Sequence, residues 1–208
     1  MEAAKTDFAA QGVEWAERAP RTVTTLLVGK LLCDGTDEQP CRLRNLSASG
    51  MLIETQRPLG YGNWVAVELR CGQRLQGTVA WSSTGRAGVQ FAELIDVDQV
   101  LAVARGATAA RVVAPRAPRF AVKLVARLVN DGHPIEVTVE NISQSGARVS
   151  LGEQRELEPS VTLTIPGLQP RRCTVRWSKD QTAGLAFMDM VPYHELTALL
   201  GLGVGQQV

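Results

Sequence analysis

Aromatic residues make up only 5% of this 208-residue chain, histidine occurs twice, and the formal net charge is +1. A general polyanion binder is visibly basic, so the near-balanced charge argues against one, and no DNA partner is expected. Room remains for a small basic pocket. The scarcity of aromatics argues against a single-stranded RNA surface, which needs stacking platforms. No apolar run approaches the length of a membrane span, so no membrane insertion is expected. The first ten residues, MEAAKTDFAA, lack the apolar stretch of a secretory signal. Cys33, Cys41, Cys71 and Cys173 form no CxxC pair, and three of them fall in one half of the chain. Zinc sites and disulfide frameworks give paired spacings, so these read as reduced structural thiols of a cytoplasmic protein. Cys33 and Cys41 flank one expected turn and could face each other across it. His133, in a turn, and His194, opening a helix, have no visible Ser, Cys or acidic partner. Gly-x-Ser-x-Gly, P-loop and HExxH motifs are missing. No catalytic residue, metal or cofactor is expected, and the chain does not read as an enzyme.

What the sequence does contain is a repeat. Arg18-Ala19-Pro20-Arg21 recurs as Arg116-Ala117-Pro118-Arg119, an offset of 98. Asn45-Leu46-Ser47-Ala48-Ser49-Gly50 recurs as Asn141-Ile142-Ser143-Gln144-Ser145-Gly146, an offset of 96. Val79-Ala80-Trp81-Ser82 and Ala87-Gly88-Val89-Gln90-Phe91 recur at that same offset of 96. The change by two places a two-residue length difference in the first hairpin turn or its strands. The expected organisation is one domain over 15–105, a linker over 106–115 and a second domain over 116–205. The alanines of the linker leave open that it continues the helix before it.

Each copy reads as strands. Residues 22–33 and 120–129 are rich in Val, Leu and Thr with partial alternation. Each ends at a glycine turn, Asp34-Gly35-Thr36 and Asn130-Asp131-Gly132, and Asp-Gly tolerates positive φ at both central positions. A second strand leads into the Asn-x-Ser motif. Short strands follow at 51–54, 64–70, 74–81 and 87–91, and again at 147–151, 161–165, 173–177 and 183–187. About six short strands per copy indicate a small barrel or sandwich. Each copy closes with a helix. Leu94, Val97, Leu101 and Ala104 stand at helical spacing after the candidate cap Asp96. In the second copy Pro192 suits a first helical turn, Leu196, Leu199 and Leu200 supply an apolar stripe, and Gly201 can stop it.

In Asn-x-Ser-x-Ser-Gly the glycine is expected to supply positive φ at a strand corner. The Asn and Ser side chains either bond nearby backbone or present hydrogen-bonding groups to a ligand edge. The arginines before the first strand either stay solvated or bond guanine, stack on a base or pair with phosphate. Pro20 and Pro118 keep that entry extended. Trp81 and Trp177 occupy equivalent late-strand positions and read as core packing.

An arginine entry, a hairpin, [Asp/Asn]-x-Ser-x-x-Gly, further strands and a final helix resemble the PilZ domain family, over nearly the whole chain and twice. The resemblance implies a mainly β fold, two tandem six-stranded antiparallel β-barrels each followed by a C-terminal α-helix. It implies a cytoplasmic receptor or adaptor for cyclic di-GMP that passes the second-messenger signal to a protein partner. It assigns ligand binding to Arg18, Arg21, Asn45, Ser47 and Gly50, and to Arg116, Arg119, Asn141, Ser143 and Gly146. The second motif matches in both copies. The first departs, because the family usually shows Arg-x-x-x-Arg. Counting back four from Arg21 gives Glu17, and from Arg119 gives Pro115, while Arg18 and Arg116 lie one residue nearer. Arg111 is a further candidate. Two other readings stand beside the receptor: a ligand-independent protein–protein interaction module, and a binder of another nucleotide or of single-stranded RNA.

Overall fold

The computed structural model describes residues 22–33, 37–105 and 117–203. The first copy contains β1 (Thr22–Cys33), β2 (Asp37–Ser47), β3 (Gly50–Thr55), β4 (Trp64–Glu68), β5 (Arg74–Ser83), β6 (Arg86–Phe91) and α1 (Val97–Arg105). The second contains β7 (Phe120–Asn130), β8 (His133–Ser143), β9 (Gly146–Ser150), β10 (Ser160–Thr164), β11 (Arg171–Lys179), β12 (Thr182–Phe187) and α2 (Tyr193–Gly203). Each set of six strands closes into an antiparallel barrel. The orders are β1-β2-β3-β6-β5-β4 and β7-β8-β9-β12-β11-β10. Closure removes every sheet edge, and inward and outward residues alternate along the strands. Leu31, Leu43, Ile53, Val65, Val67, Val79 and Val89 fill the first interior. Leu128, Val139, Val149, Val161, Leu163, Cys173 and Leu185 fill the second. Each such Val, Leu or Ile side chain contributes about 1.5–3 kcal/mol on full burial.

Strand pairing locates the two-residue length difference. Cys33 pairs with Asp37 but Asn130 pairs with His133, so the first turn is one residue longer. In β1 the pairing steps from Val23↔Asn45 to Leu27↔Leu43, and in β7 from Ala121↔Asn141 to Leu124↔Val139. The bulge in β1 therefore holds the other extra residue. In the second turn Asp131 and Gly132 have φ of 47° and 73°, the paired positive φ values that Asp-Gly favours. The equivalent turn at 34–36, and the expected linker at 106–115, lie outside the described residues.

The helices follow the expected pattern with two corrections. Asp96 Oδ1 accepts the Gln99 N–H at 3.0 Å, so the cap is in place. Val100, Leu101 and Ala104 are buried, but Leu94 precedes the helix and is 79% exposed. The Leu196 N–H donates to the Pro192 carbonyl, and Leu196 and Leu199 are buried. Gly201 does not stop α2, which runs to Gly203. The strand expected over 64–70 ends at Glu68, where a 3-10 turn over Arg70–Gly72 takes over. Cys33, Cys41 and Cys173 are buried and form no disulfide. Cys33 pairs with Asp37 and Cys41 with Gly29, so the two do not face each other. Burial pushes the Cys41 thiol up to about 12 and the Cys173 thiol to about 11, which keeps both protonated and unreactive at neutral pH.

Candidate functional site

A single row of residues crosses the outer face of each barrel. In the first, strand pairing sets Val23 beside Asn45, Asn45 beside Leu52, Leu52 beside Gly88 and Gly88 beside Trp81. In the second the row is Ala121, Asn141, Arg148, Gly184 and Trp177. Bulges produce these rows. One lies between Leu43 and Asn45, another between Val79 and Trp81, and the second barrel has both at the equivalent places. A bulge inserts a residue and re-aims the side chains after it.

The second bulge overturns the core reading of the tryptophans. Leu75, Gly77 and Val79 point inward, and continued alternation would bury Trp81. The extra residue Ala80 reverses the phase. Trp81 is 43% exposed and Trp177 42%. Each indole lies against a glycine. A Cβ at Gly88 would stand 2.1 Å from Trp81 Nε1, and one at Gly184 would stand 2.2 Å from Trp177 Nε1. The missing side chain lets the ring lie flat, an aromatic platform with two strands between it and the motif asparagine. The repeated Trp–Gly pairing was the signal available in sequence for this role.

In the motif itself, the serines face inward. Ser47 Oγ donates to the Gly50 carbonyl at 3.0 Å, and Ser143 Oγ donates to the Gly146 carbonyl at 3.1 Å. Ser143 Oγ also accepts the Ser145 N–H at 3.3 Å. Both serines are buried. Their hydroxyls hold the turn that aims Asn45 and Asn141, which are half-buried on the row. The glycines do not supply positive φ: Gly50 and Gly146 fall outside that region. They are required by close approach. An added Cβ would meet the Val89 carbonyl oxygen at 2.5 Å in the first barrel and the Leu185 carbonyl oxygen at 2.2 Å in the second. The remaining turn carbonyls accept from the segment leading to each helix. Ser49 and Ala48 accept from Phe91 and Ile95, and Ser145 and Gln144 accept from Phe187 and Val191. The turn thus pins the start of each helix.

Of the expected arginines, Arg18, Arg21 and Arg116 lie outside the described residues. Arg119 is exposed and its Nη1 donates to Asn141 Oδ1 at 3.4 Å, which brings one entry arginine onto the row. Ala117 and Pro118, just before it, are buried. On the first face a cleft of about 240 Å³ is lined by Asn45, Ser47, Leu52, Trp81, Gly88 and Gln90 among others. Beside it Glu54 pairs with Arg44 at 2.7 Å and Arg86 at 3.6 Å. The Arg44 guanidinium holds that carboxyl below its ordinary range. On the second face Arg148 fills the place of Leu52. Its Cζ lies 5.9 Å from the Trp177 ring centroid and its Nε 2.8 Å from a Glu140 carboxylate oxygen. Among the described residues no group of His, Cys, Asp or Glu could hold a metal ion. No described helix is long and apolar enough to cross a membrane.

The barrels also touch. Tyr193, at the start of α2, donates its hydroxyl to the Pro40 carbonyl at 3.4 Å, and the Arg42 guanidinium lies 4.1 Å from its ring centroid. Burial raises the Tyr193 hydroxyl above its ordinary value. A cavity of about 310 Å³ beside this contact is lined from one side by Leu27, Arg42 and Arg70 and from the other by Pro118, Gln144 and Tyr193. The entry segment and motif turn of the second barrel therefore border the interface.

Compared with known families, the sequence matches the PilZ domain over residues 17–106 and 115–201. No curated protein matches it. Among solved structures it is similar to the Bacillus subtilis inhibitor of motility MotI/DgrA, with 16% identity and a TM-score of 0.35, covering 88% of this chain and 98% of that one. It is similar to Borreliella burgdorferi PlzA in complex with c-di-GMP, with 11% identity, a TM-score of 0.34 and coverage of 83% and 85%. It is also similar to Escherichia coli YcgR in complex with c-di-GMP, with 9% identity, a TM-score of 0.33 and coverage of 87% and 84%.

Proposed function

The chain belongs to the PilZ domain family, twice over, and from that premise we propose that it binds cyclic di-GMP on the outer faces of its barrels and relays binding to a protein partner. The family is one of cyclic di-GMP receptors and effector adaptors. The observation that carries the reading is the row itself. In both barrels it sets a hydrogen-bonding asparagine and a flat, half-exposed tryptophan on one face, separated by the width of two strands. Asparagine offers both donor and acceptor to a guanine edge. An indole offers stacking worth about 1–3 kcal/mol per base. Arg119, already bonded to Asn141, offers charge to a phosphate. In this reading Asn45, Asn141, Arg21, Arg119 and the further arginines Arg18 and Arg116 touch ligand. Ser47, Ser143, Gly50 and Gly146 shape the turn beneath it.

The relay follows from the turn's second set of bonds. Ligand on Asn141 loads the 141–146 turn, whose Gln144 carbonyl holds Val191 two residues before Tyr193. Tyr193 in turn rests on Arg42 of the first barrel. A shift at the site therefore reaches the contact between barrels. Calorimetric titration of the whole chain with cyclic di-GMP tests the reading. Saturable heat that is lost in the Asn45→Ala/Asn141→Ala double variant supports it. Equal heat in that folded variant would place the ligand elsewhere.

The ligand-independent interaction module is favoured by one observation, the shifted register of the entry arginines. It predicts that Arg21→Ala and Arg119→Ala leave cellular function intact.

A further inference from the structure

We propose that Arg148 makes the outer face of the second barrel a phosphate-recognising site that differs in chemistry from its counterpart on the first; the assignment rests on the cyclic di-GMP reading above. The two faces share a frame and differ at its centre. Strand pairing places Leu52 between Asn45 and Gly88, and Arg148 between Asn141 and Gly184. Leucine leaves the first face apolar around Trp81. Arginine places a permanent cation before Trp177, 5.9 Å from the ring centroid.

The guanidinium is held by Glu140 at 2.8 Å, and the two side chains are 44% and 38% exposed. An ion pair that open to water is worth about 0–1 kcal/mol. A guanidinium bonds a phosphate oxygen pair through two parallel N–H groups, and such charge-assisted bonds are roughly twice as strong as neutral ones. A phosphodiester arriving at this face can therefore draw Arg148 from Glu140. Arg119 meets the same asparagine from the entry segment, at 3.4 Å. Two guanidiniums then serve the second row, Arg119 at Asn141 from the entry segment and Arg148 at the centre from β9. In sequence the entry motif carries Pro115 four residues before Arg119, and β9 contributes a second cation to this face. The first face has no such cation on β3. Its nearby Arg44 is paired with Glu54 at 2.7 Å.

The experiment is calorimetric titration of the full chain with cyclic di-GMP at low and moderate salt. Arg148→Leu is the chosen variant, because the sister barrel carries Leu52 at that position in the same fold. The expected result is an affinity about tenfold weaker at one class of site, with a shallower salt dependence. Glu140→Gln removes the competing carboxylate and is expected to tighten the same site severalfold. Affinity, stoichiometry and salt dependence all unchanged in Arg148→Leu would overturn the assignment while leaving the cyclic di-GMP reading in place. If Arg148→Leu fails to fold, Glu140→Gln decides: tighter binding supports the assignment and unchanged binding overturns it. No binding by the unsubstituted protein overturns the reading itself, and the assignment with it.

Discussion

Trp81 and Ser143 show how differently two residues near one face contribute. Trp81 is 43% exposed and rests on Gly88, so its removal should cost the fold little. Trp81→Ala is expected to keep its melting temperature within a few degrees while weakening cyclic di-GMP binding about tenfold at the first site. Scanning calorimetry and a binding titration on the same sample check both halves. Gly88→Ala should mimic it, because a Cβ 2.1 Å from Trp81 Nε1 forces the ring off its seat. Ser143 is the opposite case. It is 1% exposed, and its hydroxyl donates to the Gly146 carbonyl and accepts the Ser145 N–H. Ser143→Ala should destabilise the second barrel by about 1–2 kcal/mol, read as a lower unfolding midpoint with no ligand present. A stability equal to that of the unsubstituted protein would show that the hydroxyl does not hold the turn.

At the scale of elements, turns and caps carry measurable stability. Gly132 has φ of 73°, where a side chain is strained, so Gly132→Ala should cost about 1 kcal/mol in denaturant unfolding. Asp96→Ala removes the cap on the Gln99 N–H and should cost about the same. These two features were legible in sequence because their chemistry is local: an Asp-Gly pair between strands and an acidic residue before an apolar helix. Strand positions were legible for a related reason, since β-branched runs bounded by glycine turns repeat twice. The bulges were not. A bulge at Ala80 changes which way Trp81 points, yet nothing in the local pattern distinguishes an inserted residue from another step of alternation. The role of Gly50 and Gly146 is hidden from local sequence for the same reason: the carbonyl that excludes a side chain belongs to a strand about forty residues away.

At the scale of the whole molecule, the repeat showed two copies of one β-rich module, but barrel closure and the contact between the copies came from the structure. Arg42 and Tyr193 are 151 residues apart and have no counterpart pattern in the sequence. Their stacking is worth about 0.5–2 kcal/mol, a small restraint that ligand binding could overcome. Tyr193→Ala is expected to broaden the distance distribution seen by small-angle scattering and to blunt any ligand-induced change in it. An unaltered scattering profile, with and without ligand, would remove this contact from the relay. Cyclic di-GMP is proposed to lie on the Asn–Trp rows. Nuclear magnetic resonance of the indole N–H groups tests it most directly, with signals assigned through Trp81→Phe and Trp177→Phe. Titration with cyclic di-GMP should shift the Trp81 and Trp177 signals in saturable fashion. Saturating ligand that leaves both signals in place would contradict it.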